Sequence, residues 1–251
     1  FLHLRFCGCM KNIPLLSIAS LLLAASPAYA IFNVSSPNIK KGIAEIESRN
    51  RYDVDDRASR DGKKINTVKM SYGVTDRFAV ELQGDMEDSP SHGYNYDATE
   101  LEGKFRFFEP DAYWLDFALK LAYEWNHDPD SAEAVKAKFL FAKKLGDITV
   151  MQNTNFSKEV GTDASTDTTL STSWQARYAL NPYIQPGFEI YNSFGELSDM
   201  PDYDGQAHRI GPMFYGKILP NLSYQAGYLF GVSDGAEDGS FKFFLKYEFP
   251  L

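Results

Sequence analysis

The chain has 251 residues, of which 44% are hydrophobic and 15% aromatic, and its formal net charge is −9 at pH 7. So acidic a protein is a poor partner for nucleic acid. Both cysteines, Cys7 and Cys9, lie in the leader described next, which excludes disulfides, cysteine zinc sites and cysteine nucleophiles from the mature chain. No motif in the sequence calls for a cofactor.

The first predicted element is a cleaved secretory signal peptide. Met10 and Lys11 begin it, an apolar stretch covers 13–25, and Ser-Pro-Ala-Tyr-Ala ends it at Ala30. The apolar stretch is shorter than the ~20 residues of a membrane-spanning helix. Cleavage after Ala30 is therefore favoured over the alternative, an uncleaved anchor helix. No cysteine follows the stretch, which excludes a lipoprotein.

This assignment divides the chain into a leader, 1–30, and one mature domain, 31–251. Residues 1–9 lie upstream of a start methionine and are interpreted as a mis-annotated gene start. Removal of the leader deletes two bases and no acid, so the formal charge moves from −9 to about −11.

Period-two alternation predicts twelve β-strands in the mature domain. In the fifth, seven apolar residues from Tyr113 to Trp125 alternate with mostly polar ones. A run of this length can cross a bilayer at a tilt. The predicted strands are 41–53, 64–74, 77–86, 97–108, 112–125, 134–144, 147–157, 168–180, 183–194, 207–218, 221–232 and 240–249.

The connections between these strands alternate strictly between short turns and long polar loops. Bacterial outer-membrane barrels have this arrangement, with short periplasmic turns, long external loops and an even strand number. The sequence therefore predicts an all-β protein, a transmembrane antiparallel up-and-down barrel of about twelve strands; a soluble β-protein is the alternative. Aromatic residues near the strand ends fit the interfacial girdles of such barrels: Tyr52, Tyr72, Phe78, Tyr113, Trp125, Phe156, Tyr178, Phe194 and Phe249.

Two strands fit the pattern less well. In strand 7, Gln152 and Thr154 share the apolar face, and in strand 1, Ser48 and Asn50 do so. A different register, a bulge, or contact with a neighbour instead of lipid would each explain them.

The inward faces of the predicted barrel carry many charges, with thirteen bases against nine acids. The bases are Arg49, Arg51, Lys69, Lys104, Arg106, Lys120, Lys136, Lys138, Arg177, Arg209, Lys217, Lys242 and Lys246. The acids are Glu45, Glu47, Glu81, Glu100, Glu102, Asp116, Glu124, Glu189 and Glu248. The predicted lumen is therefore mildly basic, with an excess of about four positive charges.

Charge inside a narrow barrel has two interpretations. A basic wall can select small anions in a pore. Alternatively, ion pairs across the lumen can fill the interior and stabilise the wall. Because strand 12 must pair with strand 1 to close the barrel, Lys246 is expected near Glu45 and Glu47.

The predicted external loops carry clustered carboxylates, which could bind divalent cations shared with lipopolysaccharide phosphates or simply keep the loops soluble. The mature histidines are His92, His127 and His208, all in or beside these loops. None has the partnered constellation that a hydrolase requires, so an enzyme is not expected.

The segment Ser71–Leu82 resembles a turn in uncharacterised proteobacterial outer-membrane β-barrels, some of which are described as transporters of the phenol meta-degradation type. Gly42–Glu47 and His208–Pro212 are similar to the same group. Phe243–Phe249 resembles the C-terminal assembly signal of such proteins, although Pro250 and Leu251 follow it here. The resemblance implies a barrel in the Gram-negative outer membrane and no particular substrate.

Taken together, these patterns predict a monomeric or weakly oligomeric barrel that is a passive channel or porin for small solutes, anions among them. The alternative is a non-conducting structural or surface-interaction barrel with an ion-paired lumen and acidic external loops. The expected partners are outer-membrane lipid, lipopolysaccharide, the barrel assembly machinery and small solutes.

Overall fold

The computed structural model describes residues 32–90, 93–128, 131–162 and 164–251. The predicted signal peptide and its cleavage site lie outside these residues. The described chain forms twelve β-strands: β1 Ile43–Val54, β2 Lys64–Gly73, β3 Phe78–Ser89, β4 Gly93–Arg106, β5 Asp116–Asn126, β6 Glu133–Leu145, β7 Ile148–Val160, β8 Thr168–Tyr178, β9 Gln185–Glu196, β10 Ala207–Leu219, β11 Leu222–Gly231 and β12 Gly239–Pro250.

The strands form a closed antiparallel barrel in which each strand pairs with its neighbours in sequence. β1 and β12 close it over a continuous register from Ile43 opposite Pro250 to Val54 opposite Gly239. Closure pairs the edges that an open sheet would leave exposed. The predicted up-and-down barrel is confirmed.

The two faces of the wall reverse the arrangement of a soluble protein. Outward side chains are large and apolar, and Met70, Leu121 and Phe241 are each more than 50% exposed. Inward side chains are polar or charged, and Glu81 and Lys242 are almost completely buried. A continuous apolar exterior suits a lipid environment and not water. The soluble alternative is therefore wrong. Among the described residues, no α-helix has the length and apolar character that crossing a bilayer requires.

The main differences from the predicted strand bounds lie on either side of β4. β3 and β4 continue to Ser89 and from Gly93, so the predicted loop 87–96 is largely strand. The predicted short turn at 109–111 is a longer connection, 107–115. Within it Asp111 has a positive φ of 60° and its amide donates to Asp116 Oδ1 at 2.9 Å. Because Pro110 has no amide hydrogen, it cannot continue the ladder.

The outward polar residues of β1 and β7 bond to one another and to their neighbours, and no bulge interrupts the pairings of these two strands. Asn50 Nδ2 donates to Ser48 Oγ at 3.3 Å, and Asn66 Nδ2 donates to Asn50 Oδ1 at 2.8 Å. On β7, Gln152 Nε2 donates to Thr154 Oγ1 at 2.8 Å. These bonds offset part of the cost of turning polar groups outward.

Candidate functional site

The alternation of the strands brings the candidate residues to one place, the lumen. At the seam, Lys246 Nζ lies 3.4 Å from Glu45 Oε1 and 3.0 Å from Glu248 Oε1. Glu47 lies directly opposite Lys246 in the register, but its carboxylate accepts a hydrogen bond from Arg49 at 2.8 Å. The predicted neighbourhood of Lys246 is therefore present, with Glu45 rather than Glu47 as the ion-pair partner.

Glu81 of β3 is the centre of the first charged cluster. Lys69 and Lys104 approach its carboxylate at 2.8 and 3.0 Å, and Lys120 bridges it to Glu102. These groups come from four adjacent strands, so the cluster ties one side of the wall together across its width. Attraction to the ammonium groups offsets the free-energy cost of removing this carboxylate from water, and the cost would be uncompensated without them.

A second cluster lies beside it on β4, β5 and β6. Lys136 pairs with Glu100 at 2.8 Å and also with Glu124. Lys138 points into the same region, where a cavity of about 10 Å³ remains between these side chains and Asn155. That volume holds about one water molecule.

A third cluster surrounds Glu189 on the opposite side of the lumen. Lys242 approaches it at 2.6 Å, and the hydroxyls of Tyr191 and Tyr215 donate to it at 2.8 Å each. Gln175 Nε2 donates to the same carboxylate at 2.8 Å. This wall therefore presents mainly uncharged polar side chains, in contrast with the ion-pair lattice on β1 to β6.

The long-loop end of the lumen carries two further ion pairs. Arg51 contacts Asp53 at 2.7 Å, and Arg209 of β10 pairs with Glu237 from the 232–238 loop. Ser240 Oγ donates to Asp53 at 2.7 Å. The sequence did not assign Asp53 or Glu237 to the interior. Asp53 is the last residue of the predicted strand 41–53, and Glu237 belongs to a loop that folds into the lumen.

The remaining candidate bases lie nearer the short-turn end or apart from the clusters. Arg106 pairs with Glu109 at 2.7 Å, and Arg177 is half-buried on β8. Among the described residues, no carboxylate oxygen lies within 4.0 Å of the charged nitrogens of Lys138 or Arg177, whereas most of the other interior bases are paired. Asp53, Asp85 and Glu237 add acids to the predicted interior set and Lys63 adds a base, which lowers the predicted basic excess from about four to about two.

The largest feature that sequence reasoning missed is the segment Phe32–Lys40, hereafter the N-terminal segment, which lies inside the barrel. It enters at the short-turn end, where Lys40 pairs with Glu248 at 2.5 Å, and extends to Phe32 near the long-loop end. Phe32, Val34, Pro37 and Ile39 are buried. The only signal was the apolar character of these four positions, because the three-residue step from Val34 to Pro37 breaks the period of two that predicts a strand.

The N-terminal segment bonds to the uncharged wall. The amide of Ser35 donates to Asn153 Oδ1 at 2.6 Å, and Asn153 Nδ2 returns a bond to the carbonyl of Ser35 at 2.9 Å. Ser173 Oγ donates to the carbonyl of Asn33 at 3.4 Å. The segment and the side chains of the wall together fill the middle of the lumen.

The acidic loops meet near the barrel mouth, where carboxylate oxygens of Asp55, Asp56 and Asp238 lie within 4.8 Å of one another. Arg57 already donates to both oxygens of Asp55 at 2.6 Å. These hydrogen bonds lower the pKa of the Asp55 carboxyl, although partial burial opposes them. Both carboxylate oxygens of Asp55 thus already accept hydrogen bonds within the protein.

The two described histidines contact uncharged polar groups. His127 Nε2 lies 2.9 Å from Thr99 Oγ1, and His208 lies 2.9 Å from Asn192 Oδ1 and 3.0 Å from Gln206 Oε1. His92 lies outside the described residues.

Comparisons with known proteins agree with this geometry. The family model described as "Putative MetA-pathway of phenol degradation" matches residues 68–249. The chain is similar to the COG4313 outer membrane channel from Pseudomonas putida F1, with 12% identity and a TM-score of 0.61 over 86% of this chain and 98% of that chain. It is also similar to the KdgM porin, with 9% identity and a TM-score of 0.58 over 82% of this chain and 99% of that one. No curated protein matches.

Proposed function

Since the chain belongs to the family described as "Putative MetA-pathway of phenol degradation", we propose that it is a passive channel of the Gram-negative outer membrane for small solutes. Its N-terminal segment holds the pathway closed. The fold shared with outer-membrane channels and porins supports this proposal, as does the apolar exterior around a polar lumen.

The single observation that carries the proposal is the way in which the lumen is filled. One side of the wall is bound together by ion pairs that would be costly to break. The N-terminal segment is held differently, by the hydrogen bonds of Asn153 and Ser173 and by packing of Phe32 against Tyr191 and two guanidinium groups. Its own ion pair, between Lys40 and Glu248, lies at the exposed rim. Each neutral hydrogen bond contributes about 1 kcal/mol. The segment is therefore the part of the interior that can leave while the barrel stays intact.

Lys138 and Arg177 support a preference for anions. Their charges have no carboxylate within 4.0 Å among the described residues, so a passing anion would not have to displace a protein partner. The remaining interior charges are nearly balanced, and we therefore propose a weak rather than a strong anion preference.

The test is single-channel conductance of the refolded mature chain, 31–251, in a planar bilayer, compared with a variant that lacks residues 32–39. The intact chain is expected to stay mostly closed, and the deletion variant is expected to show long, stable openings. Asn38→Ala is the matched control, since Asn38 is exposed and its side chain makes no hydrogen bond to any described residue. It should behave as the intact chain does.

The second candidate is a non-conducting structural barrel, favoured by the density of the ion-pair lattice around Glu81 and Lys136. In that case the deletion variant would fold, as judged by heat-modifiable migration in gels, and would not conduct. That outcome would reject the channel.

A further inference from the structure

The outer face of the barrel wall carries a groove, hereafter the outer groove, where β5, β6 and β7 lie side by side. It has a volume of about 230 Å³ and is lined by the apolar side chains of Leu121, Val135, Ala137 and Phe156. In the strand register, Ala137 lies between Leu121 and Phe156. The groove therefore forms because a methyl group separates two large side chains.

The end of the outer groove nearer the long loops is polar. Lys158 and Thr168 border it there and lie opposite one another in the register of β7 and β8. Lys136 also borders the groove, but its ammonium group forms its ion pairs on the lumen side of the wall. The outer groove thus combines an apolar floor with an outward ammonium group at its long-loop end.

The height of Lys158 on the barrel places it at the edge of the membrane. Lys158 lies ten residues after Ile148, at which β7 begins beside a short turn. A strand rises ~3.3 Å per residue and tilts by about 40° in such barrels, so Lys158 lies about 25 Å along the barrel axis from that end. The apolar band of an outer-membrane barrel has the same height. The ammonium group therefore lies where the hydrocarbon ends and the head groups of the outer leaflet begin.

The charge of Lys158 is open to a ligand. Among the described residues, no carboxylate oxygen lies within 4.0 Å of its ammonium nitrogen. It donates to the carbonyl of Thr166 at 2.8 Å, which leaves two of its three donors for another group. Lys64, the outward lysine at the same end of β2, pairs instead with Asp88 at 2.8 Å. Glu133, an outward acid on the neighbouring strand β6, accepts a hydrogen bond from a tyrosine hydroxyl.

We propose that the outer groove binds the lipid A part of lipopolysaccharide, with one acyl chain along the groove and a phosphate group on Lys158. Lipid A carries its phosphate groups directly above its acyl chains, so the two chemistries meet at the height of Lys158. The acidic loops at this end of the barrel repel phosphate, and the unpaired ammonium group therefore selects where on the wall the phosphate binds. Because the groove faces lipid and not the lumen, the proposal does not depend on conduction.

The test is native mass spectrometry of the refolded chain 31–251 in detergent micelles, titrated with purified lipid A and, separately, with phosphatidylglycerol. We expect one saturable adduct with lipid A and weaker binding of phosphatidylglycerol. The phosphodiester of phosphatidylglycerol has a single negative charge, whereas a phosphate monoester of lipid A carries up to two and offers more acceptor oxygens.

Two replacements test the two halves of the site. Lys158→Gln removes the charge and should weaken the binding of lipid A about fivefold, as expected for one basic group at a membrane surface. Ala137→Leu fills the floor of the groove and should weaken binding about threefold, because the acyl chain loses its contacts there. The matched controls are Lys64→Gln and Val68→Leu, two outward changes on β2, away from the groove. Neither control should alter the binding of lipid A.

Heat-modifiable migration in gels checks that each variant is folded, and Ala137→Val, which adds less bulk, takes the place of the leucine variant if that one does not fold. Binding of lipid A to Lys158→Gln as tight as to Lys64→Gln would overturn the proposal. So would an effect of Val68→Leu as large as that of Ala137→Leu. Equally tight binding of lipid A and phosphatidylglycerol would show a general lipid-facing surface and would also reject a site for lipid A.

Discussion

Glu81 accepts contacts from three ammonium groups, those of Lys69, Lys104 and Lys120, and its side chain is almost completely buried. Removal of its charge would leave these cations facing one another without water. For such a group, the loss of one partner costs far more than the intact pair contributes.

Glu81→Gln is expected to lower the free energy of unfolding by about 3–5 kcal/mol, as is typical when a buried ionic partner is removed. The matched control is Asp88→Asn, which breaks an exposed pair with Lys64 and should cost less than about 1 kcal/mol. Urea unfolding of the refolded barrel in lipid, followed by tryptophan fluorescence, measures both. Equal losses for the two variants would contradict this account of the lumen.

Lys246 contacts Glu45 and Glu248 at the strand 1 to strand 12 seam. Charge reversal in Lys246→Glu places three carboxylates together and should destabilise the barrel, whereas Lys246→Gln should have the smaller effect of losing attraction only. Because the seam closes the barrel, the loss should also appear as a lower temperature for the gel-shift transition. Unchanged stability in Lys246→Glu would refute the contact.

Asp55 links the first and last long loops through Arg57, which also donates to the carbonyl of Asp234 at 2.6 Å. The pKa of Asp55 is lower in the folded chain than in the unfolded one, so its carboxylate stabilises the loops fully above the ordinary pKa. That contribution is lost as the pH falls below about 4.

Limited proteolysis with pepsin across pH 2 to 5 tests this expectation. The loops should become more susceptible to cleavage below about pH 4, beyond the change in the protease's own activity on an unfolded standard. Asp55→Asn, which cannot ionise, should show the same susceptibility at every pH. A pH-dependent change in that variant would assign the effect to another group.

At the scale of elements, all twelve strands were predictable because a wall with lipid on one side and charge on the other enforces strict alternation. The seven alternating apolar residues ending at Trp125 illustrate this. The connection 107–115 was not predictable in the same way, since Tyr113 continues the alternation although it lies outside β5. Period-two alternation predicts on which face of the barrel wall a side chain lies. It does not predict at which residue the hydrogen bonding between strands ends.

The N-terminal segment was missed for a related reason. Its apolar residues keep no strict period of two, and they pack against inward side chains rather than a neighbouring strand. The bond between Ser35 and Asn153 joins residues 118 positions apart. Nothing local in the sequence encodes such a contact. The inward charges, in contrast, follow directly from the alternation, although their pairing depends on distances that only the structure supplies.

A reversible cross-link tests the mobility of the segment. Because no cysteine follows Cys9 in the sequence, Ser35→Cys with Asn153→Cys introduces one possible disulfide into the chain 31–251. The oxidised variant should remain closed under every voltage, and a reducing agent should restore occasional openings. Each single-cysteine variant should be insensitive to the reductant. Openings of the fully oxidised form would show that solutes pass without movement of the segment.

At the scale of the whole molecule, the chain carries a strong negative charge while its lumen holds a slight excess of bases. The acidity therefore lies mainly in the loops at the mouth. The negative charge of the loops attracts or repels ions as they approach, and salt screens this effect. The charges in the lumen contact a passing ion directly and therefore set the selectivity.

The predicted anion preference depends on Lys138. In the variant that lacks residues 32–39, Lys138→Glu should shift the reversal potential toward cation selectivity while the barrel stays folded. Lys136→Glu is the contrasting change, because Lys136 already pairs with Glu100 and Glu124 and its reversal should mainly destabilise the fold. The reversal potential in a tenfold salt gradient measures the first effect and urea unfolding the second.

The root of the N-terminal segment coincides with the seam that closes the barrel. Lys40 pairs with Glu248 of β12, and the amide of Leu251 donates to the carbonyl of Gly42 at 2.9 Å. The contacts that join β12 to β1 therefore also hold the N-terminal segment at the rim of the barrel. Before β1 and β12 pair, the sheet is open and has no lumen in which the N-terminal segment could lie. We therefore expect the barrel to close with the N-terminal segment already in its lumen, so that a newly assembled copy would not pass through an open state.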